Sequence, residues 1–371
     1  MSAGRKVLTY QIAGGAYGGA FVVAARDGTV RGTVRIQAAS DPIVLDEDLV
    51  VSGDNAGVLG QLPAGFFDLI YMDPPFNTGR AQSRHTLSVE AAPDGSGDRV
   101  GFGGRSYRTR LLRSLSYDDA FGDYLGFLAP RLERARELLA PHGTLYFHID
   151  YREAHYCKLL LDEVFGRDAF LNELIWSYDY GAKPRRRWPA KHDTILVYVR
   201  TPGAHFFDAD AVEREPYMAP GLVSAEKAAR GKRPTDVWFH TIVPTNGREK
   251  TGYPTQKPEG VLRRIVAASS RPGGWCLDPF AGSGTLGSVC QGLGRQFVLV
   301  DHNPVAIDVM RSRLAKAPPS GAADKAAKAP PSGAADGATK APPSGAAGEA
   351  TIPAPPRAQA GRTARPRAAG G

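Results

Sequence analysis

The chain has 371 residues, of which 46 are Lys or Arg and 38 are Asp or Glu, so its formal net charge is +8; its hydrophobic fraction is 42%. No apolar run reaches the roughly 18 residues that a membrane span needs, and no convincing signal peptide is present, so we expect a cytoplasmic protein without a membrane partner. Three widely separated cysteines exclude a disulfide framework and a closed thiolate metal site, and no metal is expected: they are Cys157, Cys276 and Cys290.

Between residues 45 and 315, strand-like apolar runs alternate with amphipathic helical stretches, which indicates an α/β sheet. Seven strands are predicted, at Leu49–Ser52, Phe67–Met72, Thr144–Ile149, Glu173–Tyr178, Thr194–Val199, Trp275–Leu277 and Gln296–Val300. Helices are predicted at Phe121–Leu139, Arg152–Phe165 and Pro258–Ser270, with a further helix that runs through Val289.

Three regions stand apart from this alternating pattern. Residues 1–44 form an N-terminal extension, and residues 80–113, rich in Gly, Ser and Arg, are predicted to be a mobile insertion. In residues 316–371 the segment Ala-Pro-Pro-Ser-Gly-Ala-Ala recurs with a period of 12, beginning at Ala317, Ala329 and Ala341. This tail contains almost no large apolar side chain and is predicted to be disordered, because it cannot bury enough surface to offset its ordering entropy.

A glycine-containing turn between a predicted strand and a predicted helix is the sharpest functional signal. It reads Asp278-Pro279-Phe280-Ala281-Gly282-Ser283-Gly284-Thr285. Spaced glycines let the main chain approach a bound molecule closely, and free amides at the start of the helix point toward it. An ordinary tight turn is the alternative for an isolated Gly-x-Gly, but the flanking strands favour a nucleotide-type cradle.

The next predicted strand ends at Asp301, 23 residues after Asp278. A carboxylate about 20 residues after such a loop is where a ribose diol is bound. The lysine of a phosphate-binding loop is missing, since Thr285 and Leu286 follow Gly284. ATP is therefore disfavoured, and S-adenosylmethionine fits better than a dinucleotide.

The second signal is an apolar strand that runs into Asp73-Pro74-Pro75-Phe76-Asn77. Prolines have no amide hydrogen and a fixed φ, so they end the strand and leave Asp73 and the Pro74 carbonyl as acceptors beside the Phe76 ring. Two acceptors beside a flat ring suit an amino group on a planar heterocycle. A strand end with a loop-capping aspartate is the structural alternative.

These motifs resemble those of the DNA amino-methyltransferases, in the circularly permuted arrangement that places Asp-Pro-Pro-Phe before the cofactor motif. The likeness covers roughly residues 45–315 and extends to Ser52-Gly53-Asp54-Asn55, Gly143–Asp150 and Tyr253–Pro258. The Asp73–Gly79 segment is most similar to the modification subunits of some restriction systems. The resemblance implies a seven-stranded Rossmann-like S-adenosylmethionine-dependent methyltransferase fold with a small DNA-recognition insertion, for which residues 201–250 are the expected region.

The resemblance also implies roles for individual residues. Asp73, Pro74, Pro75 and Phe76 are expected to hold the exocyclic amine of a flipped base, and adenine N6 is favoured over cytosine N4 because Asp stands at position 73. The residues expected at the cofactor are Asp278, Pro279, Phe280, Gly282, Ser283, Gly284, Thr285 and Asp301, with Asp54 and Lys257 at the rim of the pocket. Asp54 is equally well interpreted as a helix N-cap, and Lys257 as an exposed loop residue.

DNA contact is predicted in a basic loop between two strands, where lysines and arginines suit phosphates and an aromatic side chain supports a base. The residues are Lys183, Arg185, Arg186, Arg187, Trp188 and Lys191, together with Asn77 beside the catalytic motif. A solvated basic loop is the alternative, and the arginines of residues 80–113 either close over DNA or are likewise solvated.

Double-stranded DNA is the expected partner, and a homodimer and a restriction subunit remain open. Cytosine-N4 methylation, an RNA or small-molecule amino-methyltransferase and a non-enzymatic DNA-binding subunit on the same scaffold also remain open.

Overall fold

The computed structural model describes residues 19–24, 30–79, 82–91, 96, 99–100, 106–117, 119, 121–181, 184–244 and 246–316. Thirteen strands lie in these ranges: β1 (Gly19–Ala24), β2 (Val30–Ala38), β3 (Asp48–Ser52), β4 (Phe67–Met72), β5 (Gln82–Ala91), β6 (Arg99–Val100), β7 (Ser106–Tyr117), β8 (Leu139–Asp150), β9 (Phe170–Ser177), β10 (His192–Val199), β11 (Val237–Phe239), β12 (Trp275–Asp278) and β13 (Gln296–Asp301). The α-helices there are α1 (Asn55–Gln61), α2 (Tyr124–Leu138), α3 (Ala154–Phe165), α4 (Ala225–Arg230), α5 (Glu259–Ser269), α6 (Thr285–Leu293) and α7 (Pro304–Leu314).

Ten strands form one sheet in the order β1-β2-β3-β13-β12-β4-β8-β10-β9-β11. Within this order, each neighbouring pair in the run β2-β3-β13-β12-β4-β8 is parallel. Strand β10 is antiparallel to both β8 and β9. Strand β4 therefore lies beside β12 although about 200 residues separate them in sequence, and the loops that follow these two strands carry the predicted catalytic and cofactor motifs. In a parallel sheet, loops that follow neighbouring strands meet at one edge, which is where ligands bind.

Helices cover both faces of the sheet, and the pleat divides the core into two apolar clusters. On β4, Leu69 and Tyr71 join the cluster that contains α5, α6 and α7, whereas Ile70 and Met72 join the cluster that contains α1, α2 and α3. No helix within the described ranges is long and apolar enough to cross a membrane.

All seven predicted strands are confirmed, and the sheet contains three more: β1, β2 and β11. Strand β2 pairs in parallel with β3, and β1 pairs antiparallel with β2. The sheet thus continues into the region that the sequence set apart as an N-terminal extension. These strands were missed because β1 follows a glycine-rich stretch and arginines interrupt the apolar pattern of β2.

Strands within the insertion differ from the sequence prediction, which placed no regular element in residues 80–113. β5 and β7 pair antiparallel over ten residue pairs, and β6 pairs with the start of β7, in a separate three-stranded sheet. Ser, Thr and Arg fill much of these strands and conceal the alternation that marks a half-buried strand. The mobility of the insertion stays a prediction, and the repetitive tail from residue 317 lies outside the described residues.

Candidate active site

The predicted catalytic loop, Asp73–Asn77, begins where β4 ends, at Met72, and its prolines fix its course. The Tyr124 hydroxyl of α2 donates a hydrogen bond of 2.6 Å to the Pro75 carbonyl and anchors the loop from one side. Pro74 itself is buried, and among the described residues its carbonyl accepts no hydrogen bond. Asp73 and Phe76 are each partly exposed. The predicted arrangement of two acceptors beside a ring is therefore compatible with the fold.

Asp119 closes the far end of this loop. Its carboxylate is 1% exposed and accepts hydrogen bonds from the amides of Asn77, at 2.7 Å, and Thr78, at 3.2 Å. Asn77 has a positive φ of 53°, and its side-chain amide donates to Glu153 at 2.9 Å and accepts from the Phe121 amide at 3.1 Å. The structure thus gives Asn77 an internal anchoring role, whereas its predicted contact with DNA remains a prediction.

Lys257 lies at the catalytic carboxylate, although it was expected at the rim of the cofactor pocket. Its ammonium is 2.7 Å from Asp73 Oδ1 and 2.5 Å from Asp73 Oδ2. The same nitrogen lies 4.7 Å from the centroid of the Phe76 ring, which is a cation–π distance. Both side chains of the ion pair are largely shielded, with 11% of Lys257 and 16% of Asp73 exposed.

Behind Asp73 lies a buried hydrogen-bonded chain that the sequence did not reveal. The His148 side chain is fully buried; its Nδ1 is 2.6 Å from the Tyr71 hydroxyl and its Nε2 is 3.2 Å from Asp193 Oδ2. Tyr178 donates to the other oxygen of Asp193 at 3.0 Å. Burial raises the pKa of Asp193, but the hydrogen bond with His148 and the nearby Lys257 lower it below its ordinary value overall. His148 Nδ1 lies 3.9 Å from Asp73 Oδ1, so this chain borders the Asp73 carboxylate from within the core.

The predicted cofactor loop follows β12 and turns through two glycines in the left-handed region. Gly282 has a φ of 49° and Gly284 a φ of 72°. A Cβ at Gly284 would come within 2.7 Å of Met310 Cγ, and one at Gly282 within 3.2 Å of the Tyr253 ring. Both positions therefore require glycine for conformation and for space.

Asp301 ends β13 beside this loop and ties the two together. Its Oδ2 accepts the Gly282 amide at 2.8 Å, and its Oδ1 accepts the Asn303 amide at 2.8 Å. Burial raises the pKa of Asp301, and these amide hydrogen bonds oppose that rise. Each carboxylate oxygen keeps a second lone pair, which is what recognition of a ribose diol requires.

The electrostatics of the pocket agree with the expected cofactor. Burial raises the pKa of Asp278 well above its usual range, and the charges of Asp73 and Asp301 raise it further, while the Phe280 amide donates to its Oδ1 at 2.9 Å. The carboxyl groups of Asp73, Asp278 and Asp301 can accept hydrogen bonds from hydroxyl and amine groups, and they offer a polyphosphate no favourable partner. S-adenosylmethionine, with a sulfonium, an ammonium and a ribose diol, fits this set of residues.

Two residues predicted to contact the cofactor, Ser283 and Thr285, use their side-chain hydroxyls to accept hydrogen bonds from within the protein. Arg313 of α7 donates to Ser283 Oγ at 3.2 Å and to Thr285 Oγ1 at 3.0 Å, and it pairs with Glu259 at 2.8 Å. Ser283 and Thr285 are 4% and 6% exposed. Their side chains hold the loop to α7, so any cofactor contact at these positions falls to the main chain. Sequence inspection missed Arg313 because nothing nearby in the chain marks it.

The structure shows Asp54 as a helix N-cap, and its expected place at the rim of the cofactor pocket stays a prediction. Asp54 is the N-cap of α1, where its side chain accepts the Gly57 amide at 3.2 Å. Its neighbour Asn55 instead reaches the cofactor loop and donates to the Pro279 carbonyl at 2.8 Å. Arg131 of α2 donates to Asn55 Oδ1 at 2.7 Å and lies 3.9 Å from the centroid of the Phe127 ring, next to Phe280.

The predicted DNA-binding loop lies at the same edge of the sheet as the catalytic loop. It connects the end of β9 to the start of β10, where Asp193 pairs with Asp150 at the end of β8. Arg185, Arg186 and Arg187 are exposed, and Trp188 is 94% exposed. Lys191 instead donates to the Tyr180 and Gly181 carbonyls and closes the loop. Lys183 lies outside the described residues.

Comparison with known proteins agrees with this geometry. A sequence model described as DNA methylase, of the N6/N4 methyltransferase family, matches residues 67–312. The Type II methyltransferase M.HpaI of Haemophilus parainfluenzae is 30% identical over 270 residues, which are 73% of this chain and 74% of that protein. The DNA adenine methyltransferase YhdJ of Escherichia coli K12 is 29% identical over 273 residues, 71% of this chain and 82% of that protein.

Among solved structures, a cytosine-N4-specific PvuII DNA methyltransferase shares the fold, with a TM-score of 0.50 and 14% identity over 71% of this chain and 85% of that one. The match over residues 67–312 includes the catalytic loop at Asp73 and the cofactor loop at Gly282, which the sheet brings to one edge. The chain therefore belongs to the N6/N4 family of DNA methylases.

Proposed function

We propose that this DNA methyltransferase transfers a methyl group from S-adenosylmethionine to the exocyclic N6 amine of adenine in double-stranded DNA. The observation that supports the proposal is the loop after β4, where Lys257 contacts both the Asp73 carboxylate and the Phe76 ring, at the sheet edge that also holds the predicted cofactor loop. A base inside a duplex cannot reach such a loop, so the target nucleotide is flipped out of the stack.

The residues act on the amine by positioning and charge. An aromatic amine is a weak nucleophile because its lone pair is delocalised into the ring; acceptors at Asp73 and Pro74 hold its two hydrogens and favour the pyramidal geometry that frees the lone pair. Phe76 stacks on the base and fixes its plane. When bound, S-adenosylmethionine supplies an electrophilic methyl group. Asp73 then accepts the proton that the methylated nitrogen must lose.

Methylation of a cytosine ring carbon is disfavoured because the cysteines of this chain are buried. That chemistry needs a reactive thiolate, and Cys157, Cys276 and Cys290 are all buried. Burial raises the pKa of Cys157 to about 12. The amine is therefore the acceptor that the side chains of this site suit.

Adenine is preferred to cytosine N4 on two grounds. Aspartate at position 73 is the residue that the adenine enzymes of the resembling family favour, and the relative YhdJ is named as a DNA adenine methyltransferase. We further propose that Arg185, Arg186, Arg187 and Trp188 contact DNA and that residues 201–250 select the target sequence. A homodimer, a restriction partner and a cytoplasmic location stay predictions.

The test is methyl transfer by the purified full chain from labelled S-adenosylmethionine to unmethylated bacterial DNA, followed by digestion to nucleosides and mass spectrometry. We expect N6-methyladenine. N4-methylcytosine would contradict the base assignment and retain the mechanism at the amine. Label transferred to RNA and not to DNA would overturn the DNA substrate.

A further inference from the structure

We propose that Lys257 is a positioning residue for methyl transfer, which orients Asp73 and Phe76 toward the target amine, and that it does not serve as a cofactor ligand. This inference rests on the proposed function, because it assigns a role at the same catalytic loop. Position 257 lies in the segment that leads into the cofactor loop, so the sequence alone suggested the opposite assignment.

The geometry around the ammonium points to Asp73. Lys257 Nζ contacts both carboxylate oxygens, at 2.7 and 2.5 Å, and lies 4.7 Å from the Phe76 ring centroid. A single cation thus contacts the acceptor and the ring that are proposed to hold the base. In a site that is largely shielded from water, such a charge fixes a carboxylate more firmly than it would at the surface.

The main chain that carries Lys257 is held rigidly. Its carbonyl accepts the Thr285 hydroxyl at 3.2 Å, at the first turn of α6. The preceding Gln256 is 8% exposed; it accepts the Thr251 amide at 2.9 Å and donates to the Glu249 carbonyl at 2.7 Å. The ammonium is therefore presented to Asp73 from a fixed support, and the cofactor loop is part of that support.

The ion pair leaves room for the substrate amine. An ionised carboxylate offers about four lone-pair sites, and Lys257 occupies one on each oxygen of Asp73. The target amine can therefore bind Asp73 while Lys257 stays in place. His148 Nδ1 also lies near the carboxylate, 3.9 Å from Asp73 Oδ1. Without Lys257, the carboxylate loses the contact that sets its orientation.

Methyl transfer by Lys257→Met and Lys257→Arg should be measured alongside cofactor affinity from titration calorimetry. We expect kcat at saturating DNA and S-adenosylmethionine to fall about 10- to 100-fold in Lys257→Met, while the cofactor Kd changes by less than about threefold. Lys257→Arg keeps the cation and should recover part of kcat. Lys316→Met, at the exposed end of α7, is the matched control and should behave as the wild type.

A cofactor ligand would give the reverse pattern. If Lys257→Met raises the cofactor Kd and regains wild-type kcat at saturating S-adenosylmethionine, the inference is overturned. Wild-type kcat in Lys257→Met with unchanged affinity would overturn it as well. If Lys257→Met does not fold, the same comparison is made with Lys257→Gln. No transfer by the wild-type protein would instead contradict the proposed function, so the two failures are distinguishable.

Discussion

Asp301 combines a structural role in the predicted cofactor loop with a proposed role in binding the ribose. Its carboxylate shapes the cofactor loop by accepting the Gly282 amide, and it is also the group proposed to hold the ribose. A residue that forms the loop and contacts the ligand should be sensitive to any change.

We predict that Asp301→Ala weakens binding of S-adenosylmethionine about 10- to 100-fold, because hydrogen bonds to a charged group are each worth about 1.5–3 kcal/mol. Titration calorimetry measures the change. Asp308→Ala, which removes an exposed carboxylate on α7, is the control and should bind as the wild type does. An unchanged Kd in Asp301→Ala would remove this residue from the cofactor site.

His148 is the second residue whose role is defined by its partners. We predict that His148→Gln lowers the free energy of unfolding by about 2–4 kcal/mol, because the change disrupts the buried contacts with Tyr71 and Asp193. Urea unfolding of His148→Gln and of His155→Gln, where the histidine is exposed, makes the comparison. Equal stability of the two variants would show that the buried chain contributes little.

At the scale of elements, the junction of β3 and β13 contains a partly buried carboxyl group whose pKa is raised. Asp48 begins β3 and accepts the Phe297 amide of β13 at 3.2 Å, and burial raises its pKa to about 7. The folded protein therefore retains a proton on Asp48 that the unfolded chain has already released. Stability from this group is complete at low pH and falls as the pH rises from the unfolded pKa toward the folded one.

We accordingly predict that Asp48→Asn stabilises the protein at about pH 8 by up to about 4 kcal/mol and has little effect near pH 4. Asparagine keeps an acceptor for the Phe297 amide and carries no charge. Urea unfolding at both pH values is the measurement, with the exposed Asp168→Asn as control. A benefit that does not depend on pH would contradict this explanation.

An element could be predicted when the pattern that identifies it lies in one contiguous stretch of sequence. Strands β3, β4, β12 and β13 are continuous apolar runs and were predicted, as were the loops that follow β4 and β12, because Asp73 and Gly282 lie in contiguous motifs. Strands β2, β5 and β7 were missed because arginine interrupts their apolar residues, with serine as well in β5 and β7.

The supports of the site could not be predicted for a different reason. Asp119, Arg131, His148 and Arg313 are single residues that lie 28 to 77 residues from the partners they hold. Neither periodicity nor spacing marks them, and only the order of strands in the sheet brings them to the loops. The contact of Lys257 with Asp73 spans 184 residues and could not be predicted from the sequence for the same reason.

At the scale of the whole molecule, the sheet gathers every proposed part of the reaction at one edge. Strand β4 delivers Asp73, β12 and β13 deliver the cofactor loop and Asp301, and the β9–β10 connection delivers the basic loop. The order of these parts along the chain is immaterial to the chemistry, because parallel pairing aligns their carboxyl ends.

The central claim is that this edge methylates an amine in DNA through Asp73. The most direct test is to express the chain in a bacterial host that lacks DNA methylation and to sequence the host DNA with single-molecule detection of modified bases. Asp73→Ala, checked for wild-type binding of S-adenosylmethionine, is expressed in parallel. We predict modified adenines at one short sequence with the wild type and none with Asp73→Ala; equal modification by the two proteins would contradict the account.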